Sequence, residues 1–140
     1  MFFLTGEYDH QIDAKNRIRI PTKLKGNEER LYFSKGSDGC IFVFYEAAIR
    51  EKMEKLEEIG LFDRAKQRGL RDFANSIKPV DVDQQGRFVI PTELVNHAKI
   101  KKDVKICGTG ARIEVWAKEV YDEYMSGDDF DTNVGSLDMI

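Results

Sequence analysis

The segment Asp13–Lys25 concentrates side chains that can bind phosphate groups and the edges of DNA bases. It holds five lysines or arginines and one acidic residue. Basic and apolar residues alternate in Arg17-Ile18-Arg19-Ile20, so in an extended strand the arginines share one face and the isoleucines the other. Arginine and lysine donate hydrogen bonds to phosphate oxygens and to guanine. One interpretation of this pattern is a DNA-contacting face with four candidate residues: Lys15, Arg17, Arg19 and Lys23.

A simpler interpretation of the same charges is a solvated strand face on which Arg17 only pairs with Asp13. The net charge of the chain, −3, also argues against a polyanionic partner. However, residues 126–140 contain four aspartates and no lysine or arginine, so the rest of the chain carries about +1. Because partner choice follows local potential more than total charge, the net charge does not decide between the two interpretations.

Two stretches that look like ligand-binding motifs lack residues that their chemistry requires. Asp81–Gly86 begins like a calcium-binding loop. Gln85 occupies its fifth position, however, and Thr92 stands where the essential glutamate belongs. Gly108–Ile113 has two glycines of a nucleotide-binding loop, but neither a third glycine nor a lysine follows. We therefore expect neither calcium nor nucleotide binding.

The histidines and cysteines form no recognisable metal or catalytic pattern. His10 and His97 are isolated, and Cys40 and Cys107 form no C-x-x-C pair. We expect two unpaired thiols, no metal, no cofactor and no small-molecule substrate, and therefore not an enzyme. A small hydrolase whose Ser, His and Asp meet only in the folded chain is a minor alternative.

The hydropathy pattern indicates a cytoplasmic protein without a membrane segment. No stretch approaches the roughly 18 apolar residues that a membrane-spanning helix needs. The apolar start, Met1–Leu4, is too short for a signal peptide, and acidic Glu7 and Asp9 follow it.

The chain contains two related copies of one segment. Asp13–Leu24 and Asp83–Leu94 share six of twelve residues at a constant offset of 70, and a looser similarity continues downstream at an offset of 72. Each begins with an aspartate suited to a tight turn, and Asn16 and Gly86 both tolerate positive φ. The predicted turn signature consists of Asp13, Asn16, Asp83, Gly86 and Arg87.

Each copy predicts a strand, a tight turn, a second strand, a short helix and two more strands. Between the copies, Ile49, Met53 and Leu56 recur at helical spacing, and a second apolar series ends at Pro79. A single copy of about 45 residues buries too little surface to be stable alone. We therefore expect the two copies to pair around a pseudo-two-fold axis.

These features resemble the MraZ family. The resemblance rests on Met1–Phe2, on Gly6–Tyr8 and on the doubled D-x-x-x-R-x-x-I-P signature that begins at Asp13 and Asp83. It covers the chain to about residue 124. Asn16 departs from the family pattern, which has glycine in the first turn, but asparagine also adopts the left-handed conformation.

The resemblance implies an α+β fold of two AbrB-like swapped-hairpin β half-units that form a pseudo-two-fold β-barrel, with helices inserted between them. The boundaries we predict are 5–48 for repeat 1, 49–76 for the helical connector, 77–120 for repeat 2 and 126–140 for an acidic, flexible tail. It also implies a ring-shaped homo-oligomer in the cytoplasm and at the nucleoid. The partner it implies is double-stranded DNA, namely direct repeats in the promoter ahead of the division and cell-wall gene cluster. The resemblance implies that the bound protein usually acts as a repressor.

A competing hypothesis is an oligomeric scaffold that binds other proteins, not DNA, through the acidic tail. The two copies differ in a way that a scaffold does not need. Where the first copy presents its basic face, the second presents Gln84, Gln85, Arg87 and Val89. This asymmetry favours a DNA-binding regulator whose first copy makes most of the DNA contacts.

Overall fold

A computed structural model describes residues 3–127 and 129–138 as a mixed α+β fold. Each copy contributes four strands and one short helix in the predicted order. The strands are β1 (Glu7–Gln11), β2 (Arg17–Ile18), β3 (Arg30–Lys35), β4 (Ile41–Phe44), β5 (Lys78–Asp81), β6 (Phe88–Val89), β7 (Asp103–Gly108) and β8 (Ile113–Ala117). The helices are α1 (Thr22–Lys25), α2 (Glu46–Leu56), α3 (Arg64–Ser76), α4 (Thr92–Ala98), α5 (Lys118–Met125) and α6 (Phe130–Gly135).

The strands pair between the two copies. Six strands form one antiparallel sheet in the order β1-β7-β8-β4-β3-β5, and β2 and β6 form a separate antiparallel ribbon. The first strand of each copy therefore lies beside the third strand of the other copy. This order stays the same when the copies are exchanged. The register of the strands agrees with the repeat found in the sequence, because equivalent residues of the two copies lie opposite each other. Ile18 lies opposite Phe88, at the offset of 70, and Phe42 lies opposite Glu114, at the offset of 72.

The predicted closed barrel is not confirmed. The six-stranded sheet is open, with β1 and β5 at its two edges, and β2 and β6 pair only with each other among the described residues. These two strands are only two residues long. Pro21 and Pro91 follow soon after and lead into α1 and α4. Since proline has no N–H to donate, the ribbon cannot extend into a longer ladder at these positions.

The apolar face of the ribbon lies in the core. Ile18, Ile20, Phe88 and Ile90 are all buried, while Arg19 on the opposite face is exposed. The Phe88 ring lies 6.0 Å from the ring of Phe33 on β3. The alternation read from the sequence thus fixes which side of the ribbon packs inward.

The connector contains two helices, α2 and α3. The helix α2 begins at Glu46, three residues before the predicted connector boundary, and α3 ends at Ser76, ahead of Pro79. Ser76 joins α3 to the sheet, because its Oγ accepts a hydrogen bond from the Lys35 N–H (3.1 Å) and donates one to the Phe73 carbonyl (2.8 Å).

The segment predicted to be a flexible acidic tail contains the short helix α6. The Asp129 carboxylate accepts a hydrogen bond from the Thr132 N–H at 2.7 Å and so caps the helix. Phe130 on this helix is 76% exposed. Asp128, Met139 and Ile140 lie outside the described residues. Within the described ranges, no helix is both long and apolar enough to cross a membrane.

We expect Ser76→Ala to lower the free energy of unfolding by about 1 kcal/mol, because it removes the acceptor that the buried Ser76 offers to the part-buried Lys35 N–H. Ser136→Ala is the matched control, since Ser136 also donates to a carbonyl three residues earlier but is exposed. Urea unfolding of both variants measures the difference. Equal effects would show that the Ser76 contact does not hold α3 against the sheet.

Candidate nucleic-acid interface

The two turns at the ends of the ribbon have the same construction. In the first, Asp13 Oδ1 accepts hydrogen bonds from the N–H groups of Lys15 and Arg17, both at 2.9 Å. In the second, Asp83 Oδ1 accepts from the N–H groups of Gln85 (2.9 Å) and Arg87 (2.8 Å). The residues with positive φ are Asn16 (62°) and Gly86 (79°).

An arginine braces each turn through the same aspartate. Arg17 Nε lies 2.6 Å from Asp13 Oδ2, and Arg87 Nε lies 3.2 Å from Asp83 Oδ2. A second Arg87 contact crosses between the copies, because its Nη1 lies 3.8 Å from Asp13 Oδ2. The backbone N–H groups of Arg17 and Arg87 are the largest cause that lowers the pKa of the carboxyl each faces, Asp13 and Asp83 respectively.

The ribbon brings the two turns side by side. The Ile90 N–H donates to the Asn16 carbonyl at 2.8 Å, so the second strand is bonded to the first turn. Arg19 Nη1 donates to the Gln85 carbonyl, so this side chain lies across the second turn. A Cβ at Gly86 would lie 3.3 Å from Arg19 Nη1, a tight contact that glycine avoids. The turns therefore form one continuous surface.

At the matched positions of the two copies, the exposed positive charges come from the first copy. Lys15, Arg19 and Lys23 are exposed. In the described part of the chain, no carboxylate lies within 4.0 Å of their cationic nitrogens. The matching positions of the second copy hold Gln85, Val89 and Glu93, and Glu93 lies 3.9 Å from Lys78. We call the surface formed by Lys15, Arg17, Arg19 and Lys23 the basic face.

The structure separates the four candidate residues into two environments. The Arg17 side chain is 28% exposed and bonded to Asp13, so it lies at the base of the turn. Lys15, Arg19 and Lys23 are exposed, and Arg19 is also bonded to the Gln85 carbonyl. The alternating pattern indicated which residues point outward, but it did not reveal the contact of Arg19 with the second turn or that of Arg87 with Asp13. Both contacts depend on the direct pairing of the two copies.

His97, Cys40 and Cys107, which are possible ligands or catalytic groups by residue type, are part of the packed fold. His97 Nε2 lies 3.1 Å from the Cys40 carbonyl and 3.3 Å from the Gly36 carbonyl, contacts within the fold. Burial raises the pKa of the Cys40 thiol to about 12 and that of Cys107 to about 11. Among residues 3–127 and 129–138, no group of three or more His, Cys, Asp or Glu is placed to hold a metal ion.

We expect the double variant Asp13→Asn, Asp83→Asn to have a lower melting temperature than the natural chain at pH 7. Because folding lowers the pKa of both carboxyls, their stabilisation is present above the unfolded-state pKa near 3.8 and is lost as the pH falls through the lower folded-state pKa. The difference in melting temperature should therefore shrink below about pH 4. Calorimetry from pH 7 to 2.5 checks this, with Asp131→Asn on α6 as the control. A difference independent of pH would contradict the role of these charges.

Comparison with known proteins supports the resemblance read from the sequence. The family described as "MraZ protein, putative antitoxin-like" matches residues 3–72 and 76–133. Each matched segment contains one copy of the repeat and one turn of the ribbon.

Several curated relatives cover nearly the whole chain. A protein named transcriptional regulator MraZ from Thermoanaerobacter pseudethanolicus is 39% identical over 127 residues, which are 90% of this chain and 89% of the relative. One of the same name from Finegoldia magna is 37% identical over 139 residues (95% and 97%), and one from Heliobacterium modesticaldum is 40% identical over 121 residues (85% and 84%). The chain therefore belongs to the MraZ family of transcriptional regulators.

Proposed function

We propose that the chain is a sequence-specific DNA-binding regulator that contacts double-stranded promoter DNA through the basic face. The observation that carries this proposal is the set of three exposed cations, Lys15, Arg19 and Lys23, with no carboxylate at ion-pair distance in the described chain. Unpaired cations keep their full attraction for phosphate, and their binding releases condensed counterions from DNA. Family membership, with relatives named as transcriptional regulators, supports the same conclusion.

Each of the four basic residues has a distinct place in the proposed contact. Lys15 lies at the tip of the first turn, and Lys23 lies on α1. Arg19 lies between the two turns, where Gln85 orients its guanidinium. Arg17 is held by Asp13, so its proposed role combines bracing the turn with presenting any free donor to a base or phosphate.

We further propose that the chain binds direct repeats in its own promoter, ahead of the division and cell-wall gene cluster, and acts there as a repressor at the nucleoid in the cytoplasm. A specific protein–DNA interface normally buries about 1,000 Å² or more of protein surface. The four side chains of the basic face in one subunit offer a smaller contact area than this. A ring-shaped homo-oligomer that contacts several repeats at once would supply the missing affinity through effective concentration.

The finer fold assignment is part of the same proposal. We infer that the two copies are AbrB-like half-units related by a pseudo-two-fold axis through the ribbon. The support is the strand exchange, in which β1 pairs with β7 and β5 pairs with β3. An axis of this kind places the two turns next to each other, where a DNA groove can receive them together.

We expect Lys15→Ala and Arg19→Ala to bind promoter DNA more weakly and with less salt dependence. Each lost phosphate contact should lower the slope of log affinity against log salt by about 0.9. The matched variants Gln85→Ala and Val89→Ala remove side chains at the corresponding positions of the second copy and should leave both quantities nearly unchanged. Fluorescence anisotropy between 50 and 200 mM salt, roughly the range where phosphate contacts dominate, measures all four.

Equal losses across the matched pairs would show that the charge asymmetry has no role in binding. No binding by the natural chain to promoter fragments would instead favour the protein-binding scaffold. Melting temperatures of all four variants separate loss of contact from loss of fold, which matters for Arg19 because it also contacts Gln85.

A further inference from the structure

In the first copy, α3 packs against the sheet beside α2, whereas in the second copy α5 covers Trp116 and no described helix lies 72 residues after α3. In the first copy, Phe73 of α3 packs edge-on against Phe44 of β4, with ring centroids 6.4 Å apart. The offset of 72 residues places Trp116 at the position of Phe44. Beside Trp116 lies a cavity of about 520 Å³, and none of its described lining residues comes from a helix that corresponds to α3.

The wall of this cavity is aromatic; it is buried at Trp116, which is 4% exposed, and reaches solvent at its rim. Tyr121 and Tyr124 of α5 lie next to Trp116, with ring centroids 5.5 and 5.1 Å from it. Tyr124 and the adjacent Met125 are each 50% exposed. The exposed rim formed by Tyr124 and Met125 suits burial against an apolar side chain.

The cavity is lined by three carboxylates, Glu7, Asp38 and Glu114, and two of them already have a cationic partner. Glu114 is bonded to Arg112 at 2.8 Å and Glu7 lies 3.6 Å from Lys105, so among the described residues Asp38 is the lining carboxylate without an ion pair. The Asp38 carboxylate is the largest cause that raises the pKa of Tyr124, as expected in a negative potential. The cavity therefore favours a segment that is apolar and positively charged.

The same chain exposes one segment with these properties. Leu61 and Phe62, between α2 and α3, are 81% and 94% exposed. Arg64, Lys66 and Arg68 follow, and within the described residues no carboxylate lies within 4.0 Å of their cationic nitrogens. Two large apolar side chains this exposed are costly in water unless another surface covers them.

We propose that the cavity beside Trp116 binds residues 61–68 of a second copy of the chain. Leu61 and Phe62 pack against the aromatic wall, and the basic residues that follow face Asp38. The donor segment and the acceptor cavity are different surfaces, so the contact is head-to-tail, and its repetition closes a ring or extends a chain. This inference rests on the proposed homo-oligomer and names the surfaces that build it.

Sedimentation equilibrium without DNA tests the donor segment. We expect Phe62→Ser to weaken self-association at least about tenfold, because burial of the phenyl ring is lost. The matched control is Phe130→Ser, which removes another exposed phenylalanine (76%) from the acidic helix α6 and should leave association unchanged. A monomeric natural chain, or equal association of Phe62→Ser and the natural chain, would overturn the inference.

Disulfide trapping tests the pairing of the two surfaces. Ala65→Cys and tagged Met125→Cys chains are mixed and treated with diamide, which oxidises two thiols to a disulfide and is reduced to the hydrazine. Both chains also carry Cys107→Ser, because Cys107 lines the cavity and its thiol could react with the cysteine at position 65. We expect a cross-linked pair only in the mixture, and the Cys107→Ser chain, in which Cys40 is buried, gives the background. Cross-linking of Ala65→Cys to itself, or none in the mixture, would refute the head-to-tail contact. Since neither experiment contains DNA, these outcomes are independent of the salt-dependence test of DNA binding.

Discussion

The candidate interface depends on the antiparallel pairing of β2 with β6. Ile18 and Phe88 lie opposite each other and are 1% and 0% exposed, so their burial in the core holds one face of the ribbon in place. Burial of side chains of this size contributes about 1.5–3 kcal/mol each. The contacts of Arg19 with Gln85, Ile90 with Asn16 and Arg87 with Asp13 all cross between the copies. Without the ribbon, the molecule would carry two separate turns and not one surface.

The two turns have nearly the same backbone, but the charges of their solvent-facing side chains differ. The backbone of each turn requires an aspartate acceptor and a residue that tolerates positive φ, and both copies meet that requirement with Asp13 and Asn16 or with Asp83 and Gly86. Positions that point to solvent are under no such constraint. There the first copy carries lysine or arginine, whereas the second carries Gln85, Val89 and Glu93. One half of the duplicated unit can thus specialise in phosphate contact while the other maintains the pairing.

Local patterns in the sequence predicted the order of elements in each copy, because strand alternation, turn residues and prolines act over a few positions. The cross-copy pairing of β1 with β7 and of β5 with β3 could not be read from any local pattern, since a strand's partner is selected by the packing of the whole sheet. For the same reason the sequence indicated that Arg17 and Arg19 point outward, and it offered the Arg17–Asp13 pair as one interpretation, but it did not indicate the contact of Arg19 with Gln85. The barrel implied by the resemblance is not confirmed, since β1 and β5 are the edges of an open sheet and the two-residue strands β2 and β6 form a separate ribbon.

The central claim, that DNA lies against the first turn, is tested most directly by photo-cross-linking from single cysteines. Lys15→Cys and Gln85→Cys occupy equivalent tips of the two turns, and each can carry an aryl azide. Burial raises the thiol pKa of Cys40 to about 12 and of Cys107 to about 11, so labelling favours the introduced thiols. On irradiation with promoter DNA, we expect cross-links from position 15 and few from position 85. Equal yields from both positions, or a higher yield from position 85, would contradict the account.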